Sequence, residues 1–277
     1  MGTIDRSEGQ RAFGSDPAGY HDARPAYPQR IFDILRQRCG LGPECRTFEI
    51  GAGTGLCTQR LLEFGASPVV AVEPDERLAD FLLRTFGASA PALDVRTATF
   101  ESVDLPLSGF DLGTSASAFH WLDETKSLSK IVRVLREGGW WAMWWNLFFD
   151  GSRTDEFHKA TRTVLASLDR GPYQGSDGSP SFALDTNTRI ANLRSVKAFE
   201  NIQVEMISWT VLFDTARVLR LYSTFSPITR LTPERRKRLL DDLGHIADKE
   251  FGSQVELSIT SPIYTAQRRC ETSRRTT

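Results

Sequence analysis

Between residues 29 and 149 the chain alternates short apolar runs with segments of helical period. Gln29 to Cys39 sets Ile31, Phe32, Ile34 and Leu35 on one helical face, and Gly40 to Pro43 stops it. Phe48-Glu49-Ile50 reads as a buried strand that runs into Gly51-Ala52-Gly53-Thr54-Gly55. The next helix buries Leu56, Leu61, Leu62 and Phe64 and is ended by Gly65. Val69 to Glu73 is a second strand, and Asp75 is placed to cap a helix with Leu78, Phe81, Leu82 and Phe86 inward. Leu93 to Phe100 is a weaker third strand and Gly109 to Ser117 a fourth. Asp123 caps a helix carrying Leu128, Ile131, Val132 and Leu135. Arg136-Glu137-Gly138-Gly139 then turns into a fifth strand, Trp140 to Phe149. Strands separated by helical segments predict an α/β fold: a doubly wound parallel sheet with right-handed crossovers.

After Asp150 the pattern changes. Thr154 to Leu168 is helical, and Arg170 to Pro180 is a Gly- and Ser-rich loop suited to a lid. Phe199 to Phe213 alternates as a strand. Thr215 to Phe225 is a helix ended by Ser226-Pro227, Pro233 to Phe251 another, and Val255 to Gln267 a last strand. Phe13 to Pro28 is rich in breakers and aromatics, which suits a segment packed over a site rather than a regular element. The expected organisation is a cover segment over 1–30, a core over 31–150, a cap with the sixth strand over 151–250, a last strand over 251–270 and a disordered tail over 271–277. Residues 1–12 are expected to be weakly held.

Composition narrows the partners. The 277 residues carry a net charge of −1, and nucleic-acid binders usually show a basic excess. The basic run Arg235-Arg236-Lys237-Arg238 reads as a solvated helix face. The polar start Met1 to Glu8 has no apolar h-region, and Trp140 to Phe149 is too short to span a bilayer. No membrane or nucleic-acid partner is therefore expected, and the compartment is expected to be cytoplasmic. Cys39, Cys45, Cys57 and Cys270 show no C-x-x-C spacing and suit reduced thiols.

The glycine turn carries the chemistry. A strand, a Gly-rich turn, a helix and then Glu73 about twenty residues on form a nucleoside-binding pattern, in which the acid takes the ribose hydroxyls. A dinucleotide G-x-G-x-x-G starting at Gly51 would place its third glycine where Leu56 stands. The spacing is instead E-x-G-x-G-x-G, which argues against a nicotinamide-dependent reductase, and no G-x-x-x-x-G-K-[ST] loop occurs. On these residues the chain resembles the class I S-adenosylmethionine-dependent methyltransferases, nearest their small-molecule, trans-aconitate-methyltransferase-like branch. The resemblance covers roughly residues 15 to 150.

That resemblance implies a Rossmann-like seven-stranded, mostly parallel sheet of order 3-2-1-4-5-7-6 with a helical cap in the C-terminal half. It implies S-adenosyl-L-methionine (AdoMet) as cofactor, with S-adenosyl-L-homocysteine as product. The implied cofactor residues are Glu49, Gly51, Ala52, Gly53, Thr54, Gly55, Glu73 and Pro74, with Phe100 and Glu101 beside the adenine and Ser115 and Ser117 at the end of the fourth strand. Tyr20 and Arg24 would close over the cofactor, the guanidinium near its carboxylate; alternatively Tyr20 packs and Arg24 forms a surface ion pair. Phe100 departs from the small residue common in the family, and either stacks on the base or fills the core.

His120, just after the fourth strand, is the candidate base, because an imidazole suits proton transfer near neutral pH; the alternative is a structural His120-Trp121 pair shaping the pocket. His21, Trp121, Trp145, Phe148 and Phe149 are the candidate substrate contacts, since six aromatics in the ten residues from Trp140 to Phe149 exceed what a central strand needs. No spacing supports a metal site. The expected function is methyl transfer from AdoMet to a small organic acceptor. The alternatives are an RNA methyltransferase and an AdoMet-binding protein that transfers no methyl.

Overall fold

The computed structural model describes residues 13–148, 155–169 and 180–270. The lid expected over 170–180, the weakly held start, the tail and Phe149 fall, but for Pro180, outside them.

The strands are β1 (Thr47–Ile50), β2 (Val69–Glu73), β3 (Leu93–Thr97), β4 (Phe110–Ala116), β5 (Leu135–Trp144), β6 (Phe199–Asp214) and β7 (Gln254–Arg268). They form one seven-stranded sheet of order β3-β2-β1-β4-β5-β7-β6. Pairings among the first five are parallel, and β7 runs antiparallel to β5, with Met143 opposite Tyr264. β1 and β2 are buried at every position, as strands covered on both faces must be. The outermost strand β6 alternates half-buried and exposed residues, which is why its period of two is so clear in the sequence.

The helices are α1 (Pro17–Ala23), α2 (Gln29–Cys39), α3 (Leu56–Glu63), α4 (Glu76–Phe86), α5 (Glu124–Val134), α6 (Glu156–Leu165), α7 (Thr186–Ser195), α8 (Thr215–Ser223), α9 (Ser226–Thr229) and α10 (Pro233–Phe251). Asp75 and Asp123 are N-caps as expected, accepting from the backbone N–H of Arg77 and Lys126. Three expectations change. Phe13 to Pro28 contains a regular helix, α1, because Asp16 caps it and Pro17 fills the first position, where proline costs nothing. Helix α7 was not foreseen. Its apolar residues are few, and its buried faces carry Arg189, which pairs with Glu124 at 3.0 Å. The turn at Arg136–Gly139 is a bulge within β5: Leu135 pairs with Phe110 and Trp140 with Leu112. The strand spans Leu135–Trp144 and so ends before Phe149.

The chain forms two compact units. One, the sheet unit, comprises Pro28–Trp145, Ala183–Glu205 and the chain from Pro262; the other comprises the chain to Tyr27, Asn146–Phe182 and Met206–Ser261. Residues 183–205 thus group with the sheet unit. In the sheet unit, Phe48 stacks on Phe100 (ring centroids 6.0 Å, 6° between planes) and on Trp141 (6.3 Å, 18°). Gly113 makes this possible, because a Cβ there would lie 2.3 Å from the Phe48 ring. The second unit packs α6, α8, α9 and α10 around Phe157, Val218, Leu221, Tyr222 and Leu243. Among the described residues no helix is long and apolar enough to cross a membrane.

Candidate active site

In an open α/β sheet the ligand crevice lies beyond the carboxyl ends of the strands where the order reverses. Here that point is between β1 and β4. The turns leaving the two strands touch. Gly51 has φ +69, and a Cβ on it would meet Ala118 Cβ at 2.4 Å. Ser117, at the end of β4, takes φ +57 without being glycine, and its N–H donates to Trp144 O at 2.7 Å. A left-handed non-glycine residue stores backbone strain, and such residues gather at functional turns.

Gly53 differs from Gly51. Its φ is +57, yet no protein atom lies within 4 Å of a Cβ built there. Gly53 is therefore glycine for its backbone conformation, and the space beside it is open to a ligand. Its N–H donates to Glu73 Oε2 at 2.8 Å, and Asp75 N donates to Glu73 Oε1 at 2.9 Å. A carboxylate has about four lone-pair positions, so Glu73 retains acceptors after these two bonds. Thr54 Oγ1 is buried and has no hydrogen-bond partner among the described residues. An orphaned hydroxyl, an open glycine and a carboxylate with spare acceptors are what a nucleoside-bearing cofactor would complete. The residues present fit AdoMet.

Burial pushes the carboxyls of Glu73 and Glu49 up to about 7; hydrogen bonds from Asp75 and Gly53 to Glu73, and from Thr58 and Cys57 to Glu49, oppose this. Glu49 is 1% exposed, and Thr58 Oγ1 donates to its Oε2 at 2.6 Å. Expected beside the cofactor, Glu49 instead ties α3 to β1 beneath the turn. Thr58 had no signal in the sequence beyond its place one turn into the helix. Cys57 is buried, and burial drives its thiol upward, away from reactivity.

Other expectations shift with burial. Phe100 is 3% exposed and fills the core against Phe48, so of its two readings the structure supports the packing one. Lys130, unmarked by the sequence reading, donates to Phe100 O at 2.6 Å and to the carbonyls of Glu101 and Val103, fixing the turn after β3. Glu101 and Pro74 are exposed, and Ala52 is buried against Ala71 and Leu82. A Cβ on Gly55 (φ +91) would strike Leu82. Ser115 is buried and donates to Ile50 O at 3.0 Å, a tie between β4 and β1.

His120 sits in a short helical turn, Phe119–Trp121, directly after β4. Trp145 Nε1 donates to its Nδ1 at 3.0 Å. Trp145 is 2% exposed and packs edge-on against Tyr264 at 6.2 Å. Expected to wall a substrate pocket, Trp145 is instead core and fixes His120. The Trp121 ring lies 4.7 Å from His120 and is half-exposed. An indole N–H can only donate, so the Nδ1 of His120 is an acceptor without a proton. A neutral ring in this arrangement carries its proton on Nε2 and presents a donor there.

Tyr20, His21, Arg24 and Phe148 belong to the second unit. The Arg24 guanidinium lies over the rings of Tyr20 (5.0 Å), Phe225 (4.9 Å) and Phe148 (5.7 Å), and its Nη2 donates to Thr224 O at 3.3 Å. The ion pair considered for Arg24 is absent among the described residues; aromatic faces hold it instead. Its Nε is buried without a hydrogen-bond partner. His21 is half-buried on the same helix.

Comparison with known proteins identifies the family. A family model described as a methyltransferase domain matches residues 48–143. An uncharacterized methyltransferase of Mycobacterium bovis is 34% identical over 239 residues, 86% of each chain. Among solved structures, a provisional type II methyltransferase from Anaeromyxobacter dehalogenans is similar with a TM-score of 0.62 at 21% identity, covering 89% of this chain and 97% of that one. A phosphoethanolamine N-methyltransferase of Haemonchus contortus, in complex with phosphomonomethylethanolamine and S-adenosylhomocysteine, is similar with a TM-score of 0.58 at 14% identity, over 96% of this chain and 61% of that longer one. The matched family, the sheet order and the glycine turn agree: the chain belongs to the class I S-adenosylmethionine-dependent methyltransferases.

Proposed function

We propose that this enzyme methylates a small organic acceptor. The carrying observation is the turn at Gly53, Thr54 and Glu73, which offers open space, an unused hydroxyl and spare carboxylate acceptors. Glu73 would accept the ribose hydroxyls, the Gly53 backbone would allow close approach, and the Thr54 hydroxyl would gain a partner. Bound AdoMet supplies an already activated methyl group, so the protein's task is orientation and exclusion of water. His120 holds its proton at Nε2, an atom buried in the structure, and would use it to orient a neighbouring group of the pocket. It serves as a base only if the Trp145 bond to Nδ1 breaks and the other tautomer forms. Within the sheet unit, Trp121 is the remaining described aromatic candidate for the acceptor. The near-neutral charge supports a small molecule over RNA, and the Haemonchus relative binds a small phosphorylated amine. A cytoplasmic setting fits the reading.

The test is titration of the full chain with AdoMet, followed by transfer of a labelled methyl to a panel of amines, carboxylic acids and phenols, with total RNA alongside. Label in a small acceptor supports the reading. Label in RNA alone would sink the acceptor class, and absence of AdoMet binding would sink the site.

A further inference from the structure

Helices α8, α9 and α10 border a shallow, solvent-open cleft of about 700 Å³ that shares no residue with the glycine-turn site. Its floor is apolar, from Leu219, Leu231 and Leu240, and its rim carries Arg220, Arg236 and Lys237. The charge here is one-sided. Its charged lining is Arg220, Arg236 and Lys237 against the single acid Asp241, in a chain whose net charge is −1. Lys237 is balanced by Asp241 at 2.7 Å, an exposed pair one helical turn apart. Arg220 and Arg236 have no carboxylate within 4 Å among the described residues. Arg236 is half-buried, and its Nη2 donates to Ser223 O at 3.3 Å, which holds the guanidinium at the cleft and leaves its other donors free to point elsewhere.

Cations gathered at one concavity repel one another, and an anion there would relieve that repulsion. A guanidinium fork matches phosphate oxygens in pairs, whereas it gains nothing from an uncharged ligand. The apolar floor selects a ligand with a hydrophobic portion beside the charge. We propose that this cleft binds a phosphate-bearing ligand, with Arg220 and Arg236 on the phosphate and the leucine floor against its apolar part. The phosphate could be that of a free ester or of a lipid headgroup; the chemistry recognised is the same.

The test uses the full chain. Calorimetric titration with phenyl phosphate reads the free ester. Cosedimentation with vesicles of phosphatidylcholine and phosphatidic acid, four to one, against phosphatidylcholine alone reads the headgroup. The double variant Arg220→Gln/Arg236→Gln is compared with Arg36→Gln/Arg84→Gln, which removes equal charge from exposed positions elsewhere. Saturable binding in either arm, at least about tenfold weaker in the cleft variant and unchanged in the control, is the expected result. Retained AdoMet binding verifies that the cleft variant is folded; if it is not, Arg220→Gln alone replaces it. Binding in neither arm, equal loss in both variants, or binding of a labelled RNA oligonucleotide in place of both probes overturns the proposal.

Discussion

Trp145 and His120 stand 25 residues apart in the chain and meet through one hydrogen bond, indole Nε1 to imidazole Nδ1 at 3.0 Å. The adjacency of β4 and β5 makes the meeting possible, since each residue follows the carboxyl end of one of the two strands. Replacing Trp145 by Phe keeps an aromatic ring and deletes the donor. Nitrogen NMR should place the His120 proton on Nε2 in the wild type, and the variant should show a mixture of tautomers. A wild-type proton on Nδ1 would refute the donor assignment. The lost bond should lower stability by about 1 kcal/mol, read from denaturant melts.

Gly51 and Gly53 separate fold from ligand. Gly51→Ala drives a Cβ into Ala118 and should cost stability, by about 1–3 kcal/mol in a melt. Gly53→Ala strains a left-handed residue by about 1 kcal/mol but meets no protein atom. Its larger effect should fall on AdoMet affinity, measured by titration. Unchanged affinity in Gly53→Ala would show that the ligand does not approach there.

Glu73→Gln keeps the side-chain shape and exchanges a carboxylate oxygen for an amide donor. AdoMet binding should weaken by about 1–3 kcal/mol, roughly fivefold to 150-fold. The melting temperature without ligand reports separately on the bonds from Gly53 and Asp75.

Glu49 offers a pH signature. Its carboxyl is raised to about 7 in the fold by burial, against 4.5 as the ordinary value. The folded state therefore holds this proton more tightly than the unfolded one. Its contribution is fully present below about pH 4.5 and is lost as pH rises through about 7. Glu49→Gln removes that titration, so the variant should lose less stability than wild type between pH 5 and pH 8, by a difference on the order of 2 kcal/mol. Urea melts at the two pH values measure it. Parallel slopes would show that Glu49 stays ionised. Glu73, raised for the same reason, should leave a residual slope in the variant.

The glycine turn, the strands and most helices were legible because each rests on local rules: a period, a cap, a breaker. Helix α1 was missed for a local reason, since Pro17 and Gly19 read as breakers where Asp16 and Pro17 in fact start a helix. Helix α7 was missed because its place depends on the distant partner Glu124. At the site, residue type alone proposes Glu73 and His120, and burial changes the reading of several other candidates. Glu49, Phe100 and Trp145 have the right chemistry at the right strand ends, and each is consumed by a neighbour that only the assembled sheet supplies: Thr58, Phe48 and His120 respectively.

The sheet order has a consequence for synthesis on the ribosome. β5, with its buried Trp141, Met143 and Trp144, lies between β4 and β7, and β7 is the last strand to be translated. More than a hundred residues must emerge after Trp144 before its second edge can be paired. During that interval the nascent chain carries an open, tryptophan-rich strand edge, the kind of surface on which partly made chains stick to one another. The yield of folded enzyme should therefore depend on how fast the residues between Trp144 and the end of β7 are delivered, and on chaperones that shield β5 until β7 arrives.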